Sequence, residues 1–465
     1  VADNTTVDLV VLGGGSGGYA AALRAAELNK SVVLVEKDKV GGTCLHRGCI
    51  PTKALLHAGE IADQARESSQ FGVNASFEGI DMAGVHKYKD GVVDKNHKGL
   101  VGLVKSRGIE IVEGEGRLTA ANQVTVGDTV YTATNVILAT GSYSRTLPGL
   151  ELDGQRVIAS EHALQLDHVP ASAVVLGGGV IGVEFASAWK SFGADVTIVE
   201  ALPHLVPLED EANSKLLERA FRRRGIGFKL NSRFQRVEHT DNGVRVFLEG
   251  GETLEAELLL VAVGRGPSSA NLGYEEAGVA VERGFVQVDE YLRTSVPGVY
   301  AVGDLVSMGA APHPQLAHVG FAEGILAAEH IAGLPVVPID YAGVPRITYS
   351  SPEVASVGLT EAQAVDKHGA DRVRIVTYDL SGNGRSSILQ TKGAVKLIAQ
   401  IDGPVLGVHI VGDRVGELIA EAQLIYNWEA LPSEVAQLIH PHPTQSEAIG
   451  EAHLLLAGKP LHVHE

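Results

Sequence analysis

Cysteine is nearly absent from this sequence: Cys44 and Cys49 are the only two among 465 residues. A secreted scaffold stapled by disulfides is thereby excluded, and a reducing, cytoplasmic setting is expected. Aromatic residues amount to 5%, which leaves no stacking platform for single-stranded bases. Long apolar runs are missing as well. The longest without glycine covers residues 258–263, against the roughly 18 residues of a membrane span, so no membrane partner is expected. Positive charge is in the minority, and a formal net charge of −18 repels phosphate backbones, so no nucleic-acid partner is expected. The one dense basic run is Arg222-Arg223-Arg224. It ends a helical stretch that begins near Glu209-Asp210 and stops at Gly225, and it is read as a solvated helix end, where cations and then glycine belong. Asp3 and Asp8 with no basic region exclude a signal peptide at the start. A first residue of Val1 leaves room for an initiator methionine or a removed precursor segment.

Apolar residues at 45% and charged residues at 20% are those of a globular protein. The length exceeds what one hydrophobic core organises and suits two to four domains. Glycine is abundant and concentrated in short runs. Residues 7–12 form a β-branched apolar run, followed by Gly13-Gly14-Gly15-Ser16-Gly17-Gly18, an Ala/Leu-rich stretch over 19–28, and a second β-branched run over 31–36. This order reads as strand, glycine turn, helix, strand. It returns at 173–176, Gly177-Gly178-Gly179-Val180-Ile181-Gly182, a helical stretch to about 192, and 195–200. The same interval separates Gly13 from Glu36 and Gly177 from Glu200. Gly13, Gly15, Gly18 and Gly177, Gly179, Gly182 occupy the positions of a dinucleotide-binding turn: tight turn, close approach of a pyrophosphate, close helix–strand packing. Alone, such a turn is also found in other α/β folds. Repeated with its strands and terminal acid, it points to two dinucleotide sites, and a flavin with a nicotinamide is the natural redox combination, FAD and NAD. Glu36 and Glu200 are placed to accept from ribose hydroxyls. Ala201 follows Glu200, with no arginine before Arg219, so NAD rather than NADP is expected at the second site.

The cysteines lie in Gly41-Gly42-Thr43-Cys44-Leu45-His46-Arg47-Gly48-Cys49-Ile50-Pro51-Thr52-Lys53. Four residues close the loop, too few for a bridge to constrain much unfolded chain, whereas a redox couple suits such spacing. Pro51 is expected to open a helix through residue 58, with Lys53 one turn beyond Cys49 and close enough to favour a thiolate. Two buried free thiols and a half-built zinc site compete on spacing alone. No Cys/His pair of zinc spacing stands elsewhere, so no metal is expected.

This segment, directly after a βαβ unit of FAD type, resembles the active-site disulfide of the pyridine nucleotide–disulfide oxidoreductases, and the resemblance runs along essentially the whole chain. It implies an α/β fold with two Rossmann-like dinucleotide-binding domains, for FAD and NAD, and a C-terminal α+β dimerisation domain. Thr43, Lys53, Ala139-Thr140-Gly141, Gly264, Gly303-Asp304 and Gln315-Leu316-Ala317-His318 look like the family's further cofactor contacts, with Thr140 and Gly141 at the crossover between domains and Asp304 on the flavin's ribityl chain. Outside the family context, Asp304 is an ordinary Gly-Asp turn. His440-Pro441-His442-Pro443-Thr444-Gln445-Ser446-Glu447 is similar to the family's catalytic His-Pro-Thr motif. There His442 is the acid–base group, oriented by Glu447 and acting on the disulfide of the other subunit, which requires a homodimer. Locally these residues read only as a surface loop. The resemblance also implies an ion pair of Lys53 with Glu184 near the nicotinamide; without it, Glu184 reads equally as a solvent-facing helix residue.

The implied activity is the NAD-dependent oxidation of dihydrolipoamide, a small dithiol, through a Cys44–Cys49 disulfide. The implied partner is a lipoyl-bearing acyltransferase or lipoyl domain of a 2-oxoacid dehydrogenase complex. No lipoyl domain precedes the first strand, so the lipoyl group is expected on another chain. Two departures from the family's pattern stand out, His46-Arg47 within the loop and Gly266-Pro267-Ser268 after Arg265. The expected domain limits are 1–150 and 270–343 for FAD, 151–269 for NAD and 344–465 for the interface. A glutathione-type reductase of the same family, which Glu200 speaks against, and a flavin- and NADH-binding sensor without turnover are the rival readings.

Overall fold

The computed structural model describes residues 4–309 and 313–463. Residues 1 and 465, the outer limits expected for the first and last domains, lie outside these. Strand β1 (Asn4–Leu12) feeds helix α1 (Ser16–Glu27), which returns to strand β2 (Val32–Glu36), and β1 and β2 pair in parallel. Leu9, Val10 and Val11 are all fully buried. A continuous rather than alternating apolar run is what a parallel strand covered on both faces requires. The sheet continues on one side with Glu110–Glu113 and on the other with Thr129–Leu138. Val299–Ala301 adds in parallel to Thr129–Leu138, so distant chain returns to the first sheet.

The second unit repeats the plan. Ser172–Leu176, helix Val180–Phe192 and Asp195–Val199 lie in a five-stranded parallel sheet with Gly227–Lys229, Leu258–Val261 and Val157–Ile158. A third, antiparallel five-stranded sheet (Arg346–Thr348, Glu353–Gly358, Val405–Gly412, Ala394–Gln400, Val373–Asp379) carries helices Val415–Asn427 and Glu447–Leu456 on its core.

Two polar clusters tie these units together. Asp210 caps helix Glu211–Arg224 through the Ala212 N–H at 3.0 Å, and its other oxygen accepts from the Glu361 N–H at 2.9 Å. Lys396, on the third sheet, reaches Asp210 at 2.7 Å and Glu361 at 2.6 Å, and both Lys396 and Asp210 are buried. At the other end of the same helix, Gly225 takes the left-handed cap (φ 71°). Arg222 and Arg223 are exposed at the helix end as the sequence reading expects, but that reading needs correction at the third residue of the run. Arg224 is not solvated: it turns inward and donates to Ser187 Oγ (2.7 Å), Ser191 Oγ (2.7 Å), the Ser351 carbonyl (2.9 Å) and Asp63 (3.3 Å). A long side chain at a helix end serves the neighbouring elements that pack there, and periodicity carries no record of them.

Candidate active site

The two glycine turns are built alike. Gly13 has φ 108° and Gly177 has φ 110°, and a Cβ on either would lie 2.3 Å from a carbonyl oxygen, of Ala139 and Ala262 respectively. A Cβ on Gly18 would lie 1.8 Å from the Gly13 carbonyl oxygen, and one on Gly182 would lie 2.0 Å from that of Gly177. The middle glycines differ from these. Among the described residues, nothing lies within 4 Å of a Cβ on Gly179, and only Gly42 Cα, at 4.0 Å, approaches one on Gly15. Space is thus left open at the N-termini of the two helices, where backbone N–H groups and the helix dipole suit a pyrophosphate.

Both acids grip their turns. Glu36 accepts from the N–H groups of Gly14 (2.7 Å) and Asp38 (2.8 Å), and Glu200 from those of Gly178 (2.6 Å) and Leu202 (2.8 Å). A carboxylate offers about four acceptor sites, so each retains capacity for ribose hydroxyls. Burial pushes Glu36 above the usual carboxylate range, against the pull of the Gly14 N–H.

Thr140 Oγ donates to the Ser268 carbonyl at 2.7 Å and lies 3.0 Å from the Tyr274 hydroxyl, while the Gly141 carbonyl accepts from the Ser268 N–H at 2.9 Å. Gly264 (φ 105°) offers its carbonyl to the Arg145 N–H at 3.0 Å. Asp304 sits in the short 3-10 turn Gly303–Leu305. Its carboxylate accepts from Ser142 Oγ at 2.5 Å, and Ser142 Oγ accepts from Arg265 Nε at 2.7 Å. Ser142 and Arg265 therefore set the Asp304 carboxylate, a role that sequence reasoning missed. Ala317 opens helix Ala317–Ile331, and His318 Nε2 donates to the Pro345 carbonyl at 2.9 Å.

Cys44 and Thr43 lie in a short helix, α2 (Gly42–Arg47), and Cys49 begins helix α3 (Cys49–Glu67). The helix thus starts two residues before Pro51, which occupies its first turn, where a missing N–H costs nothing. A Cβ on Gly42 would meet Gly15 Cα at 2.6 Å, so the cysteine loop packs directly on the first dinucleotide turn. Both cysteines are free thiols. The hydrogen bond from Cys44 draws the Cys49 thiol down to about 7, with the Lys53 charge adding to it against burial. The same hydrogen bond, with burial, drives Cys44 well up. Tyr19, beside the pair, is pushed up to about 12 by burial.

Lys53 donates to both oxygens of Glu184, at 2.9 and 2.8 Å. Glu184 is 2% exposed and accepts from the Tyr349 N–H at 2.9 Å as well. The Tyr349 ring lies 4.7 Å from Lys53 Nζ, in a cation–π arrangement. Burial works against the Lys53 charge, and the Glu184 carboxylate outweighs it, so Lys53 rises. Helix α3, the second unit's helix and the third sheet's approach thus meet at one charge. Tyr349 carried no signal in the sequence beyond its place before Ser350-Ser351-Pro352. In reduced protein, thiolate ultraviolet absorbance attributable to Cys49 is expected to appear with a midpoint at about pH 7. Lys53→Met should raise that midpoint by about one unit or more, because an adjacent cation is lost. An unmoved midpoint would show that Lys53 does not act on the thiolate.

The basic residues of the loop face other work. His46 Nε2 and His97 Nδ1 both donate to the Val40 carbonyl at 3.0 Å, and Arg47 pairs with Asp38. They brace the loop against α4 (Met82–Ser106) and the end of β2.

His442 lies on the surface, its side chain 75% exposed, with Nδ1 at 2.8 Å from Glu447. The second oxygen of Glu447 accepts from the Thr444 N–H at 2.7 Å. These bonds hold Glu447 below its usual range in spite of burial. Among the described residues of one chain, His442 makes no hydrogen bond to either cysteine, so the structure brings Cys44, Cys49, Lys53 and Glu184 together and leaves the His442–Glu447 pair apart. No group of three or more His, Cys, Asp or Glu among the described residues is arranged to hold a metal ion, and no helix among them is long and apolar enough to cross a membrane.

Residues 7–324 match the family model "Pyridine nucleotide-disulphide oxidoreductase", and residues 344–453 match that family's dimerisation domain. The chain belongs to the pyridine nucleotide-disulphide oxidoreductases. Like other members it is an NAD-dependent flavoprotein oxidoreductase, with FAD and NAD as cofactors. It is 41% identical to dihydrolipoyl dehydrogenase of Bacillus subtilis, over 98% of this chain and 99% of that protein. It is 37% identical to the mitochondrial dihydrolipoyl dehydrogenase of Pisum sativum, over 98% and 92%. Among solved structures, LpdA of Mycobacterium tuberculosis superposes with a TM-score of 0.89 at 29% identity, covering 97% of this chain and 99% of the other. The HOCl-induced flavoprotein disulfide reductase RclA of Escherichia coli gives 0.86 at 28% identity, covering 97% and 100%.

Proposed function

We propose that this oxidoreductase oxidises dihydrolipoamide to lipoamide while NAD is reduced. The observation that carries the reading is its identity of 37–41% to dihydrolipoyl dehydrogenases over nearly all of both chains. The Lys53–Glu184 pair, with its carboxylate buried, beside two thiols of opposite character supports it.

In this reading Gly13, Gly15, Gly18, Glu36, Thr43, Lys53, Thr140, Gly141, Asp304, Ala317 and His318 hold FAD. Gly177, Gly179, Gly182, Glu184, Glu200 and Gly264 hold NAD. The open space at Gly15 and Gly179 and the spare acceptor capacity of Glu36 and Glu200 fit such ligands. When bound, FAD supplies the two-electron link between dithiol and nicotinamide. The chain's own groups handle sulfur and protons. His442 Nε2 of one subunit takes a proton from a substrate thiol, and Glu447 orients the ring by accepting the Nδ1–H. The substrate thiolate attacks Cys44 Sγ and breaks the Cys44–Cys49 bond, and Cys49 leaves as a thiolate favoured by Lys53. The second substrate sulfur then displaces Cys44, closing the substrate disulfide with loss of two electrons and two protons.

The separation of His442 from the cysteines within one chain supports a homodimer in which each subunit completes the other's site. The domain limits that suit this reading are 1–150 and 270–343 for FAD, 151–269 for NAD and 344–465 for the dimer interface. The cytoplasm, and a lipoyl domain of a 2-oxoacid dehydrogenase complex as carrier of the dithiol, complete it. Likeness to RclA favours one second reading, a reductase for another disulfide. The experiment is NADH formation by FAD-loaded protein with dihydrolipoamide and NAD, with NADP in parallel. Turnover with NAD and little with NADP is expected. FAD-loaded protein that fails to turn over dihydrolipoamide would sink the lipoamide reading.

A further inference from the structure

Two residues before His442 stands a second histidine, and its setting is different. The His440 side chain is 11% exposed. Its Nε2 lies 2.7 Å from Glu421 Oε1, on helix Val415–Asn427, and the hydrogen bond to that carboxylate holds His440 above the ordinary histidine range. A carboxylate at hydrogen-bond distance favours the doubly protonated ring. The ring is wedged onto helix Glu447–Leu456: a Cβ on Gly450 would stand 2.5 Å from His440 Nδ1. Gly450 lies one turn beyond Glu447 on that helix.

We propose that His440 is a positioning residue for His442: held by Glu421 and wedged against Gly450, it anchors the His-Pro-His-Pro-Thr loop and keeps a positive charge beside the His442–Glu447 pair. This rests on the role given above to His442. The groups facing His440 are Glu421 on its own side, Glu447 one turn away, and His453 behind. His453 is fully buried and donates Nδ1–H to the Ile449 carbonyl at 2.7 Å. Burial drives it down to about 4, so it stays neutral and adds no charge. Glu421 raises His440 most, and His440 in turn helps hold Glu447 ionised. Glu447 therefore remains an acceptor for the His442 Nδ1–H.

The test uses dithiol-driven flavin reduction in the FAD-loaded dimer, followed against pH for His440→Gln, Glu421→Gln and the double variant, with His442→Gln as reference. His440→Gln should slow the step roughly three- to tenfold near neutral pH, a small part of the roughly 10²–10⁴ that general acid–base catalysis contributes. Its acid limb should move upward by about one pH unit, because a neighbouring cation is gone. Glu421→Gln removes the carboxylate that favours the His440 proton and so should shift the limb in the same direction, and the double variant should move it no further upward than His440→Gln, since the cation is already gone. Slower reduction with the acid limb unmoved would reduce His440 to a packing residue and overturn the proposal, as would no change at all. A His442→Gln variant as fast as the parent would instead overturn the assignment of His442 itself.

Discussion

Cys44→Ser is expected to lose dithiol-driven flavin reduction by a factor on the order of 10³ or more, because a nucleophilic unit fails as a whole when one member is removed. Cys49→Ser should lose it equally, but the two variants should differ in spectrum. The bond drawing Cys49 down comes from Cys44. In Cys44→Ser the remaining thiol keeps Lys53 and a hydroxyl beside it, so its thiolate persists near neutral pH. In Cys49→Ser the remaining thiol is Cys44, which burial drives up, so thiolate absorbance at neutral pH disappears. Both should bind FAD as the parent does, because neither sulfur lies in a glycine turn. Comparing flavin content, thiolate absorbance and rapid reduction by dihydrolipoamide checks all three. Retained reduction in either variant would remove the cysteine pair from the chemistry.

The second large effect concerns the duplicated turns. Gly18→Ala places a methyl 1.8 Å from the Gly13 carbonyl oxygen, and Gly182→Ala places one 2.0 Å from that of Gly177. Neither fits without moving a helix against its strand, and overpacking of this kind costs about 1–3 kcal/mol or more. Spent at the turn, that cost weakens ligand binding roughly ten- to a hundredfold. Gly18→Ala should emerge depleted of FAD, with a raised dissociation constant measured by flavin fluorescence. Gly182→Ala should keep its flavin and show a raised KM for NAD. The two variants are each other's control, since the local geometry is the same and only the ligand differs. Equal FAD loss in both would mean that the substitutions act through general unfolding, and the assignment of separate cofactors to the two turns would lose its support.

Local signals account for much of what was legible. Both βαβ units read off the chain because a buried parallel strand is a continuous apolar run and the turn between strand and helix demands glycine at fixed positions. The end of helix Glu211–Arg224 at Gly225 was legible for the same reason. The helix at the second cysteine was displaced by two residues, since proline is tolerated within a first turn and does not mark its edge. Arg224 was misread, and Tyr349, Ser142 and Arg265 were given no role, because each acts on a group far along the chain. Arg224 reaches Asp63 and Ser351, and Tyr349 meets Lys53 and Glu184 across three elements.

By itself, then, the sequence determined the two dinucleotide turns, their acids and the cysteine loop, all of which arise within stretches short enough for spacing and propensity to specify. The tertiary structure alone decided which charges are paired. Lys53 and Glu184 are 131 residues apart in the chain and 2.8 Å apart in space, and His440 is raised because Glu421, on helix Val415–Asn427, lies against it. The state of a buried ionisable group depends on the field and hydrogen bonds of whatever packs around it, and that packing exists only once the chain has folded.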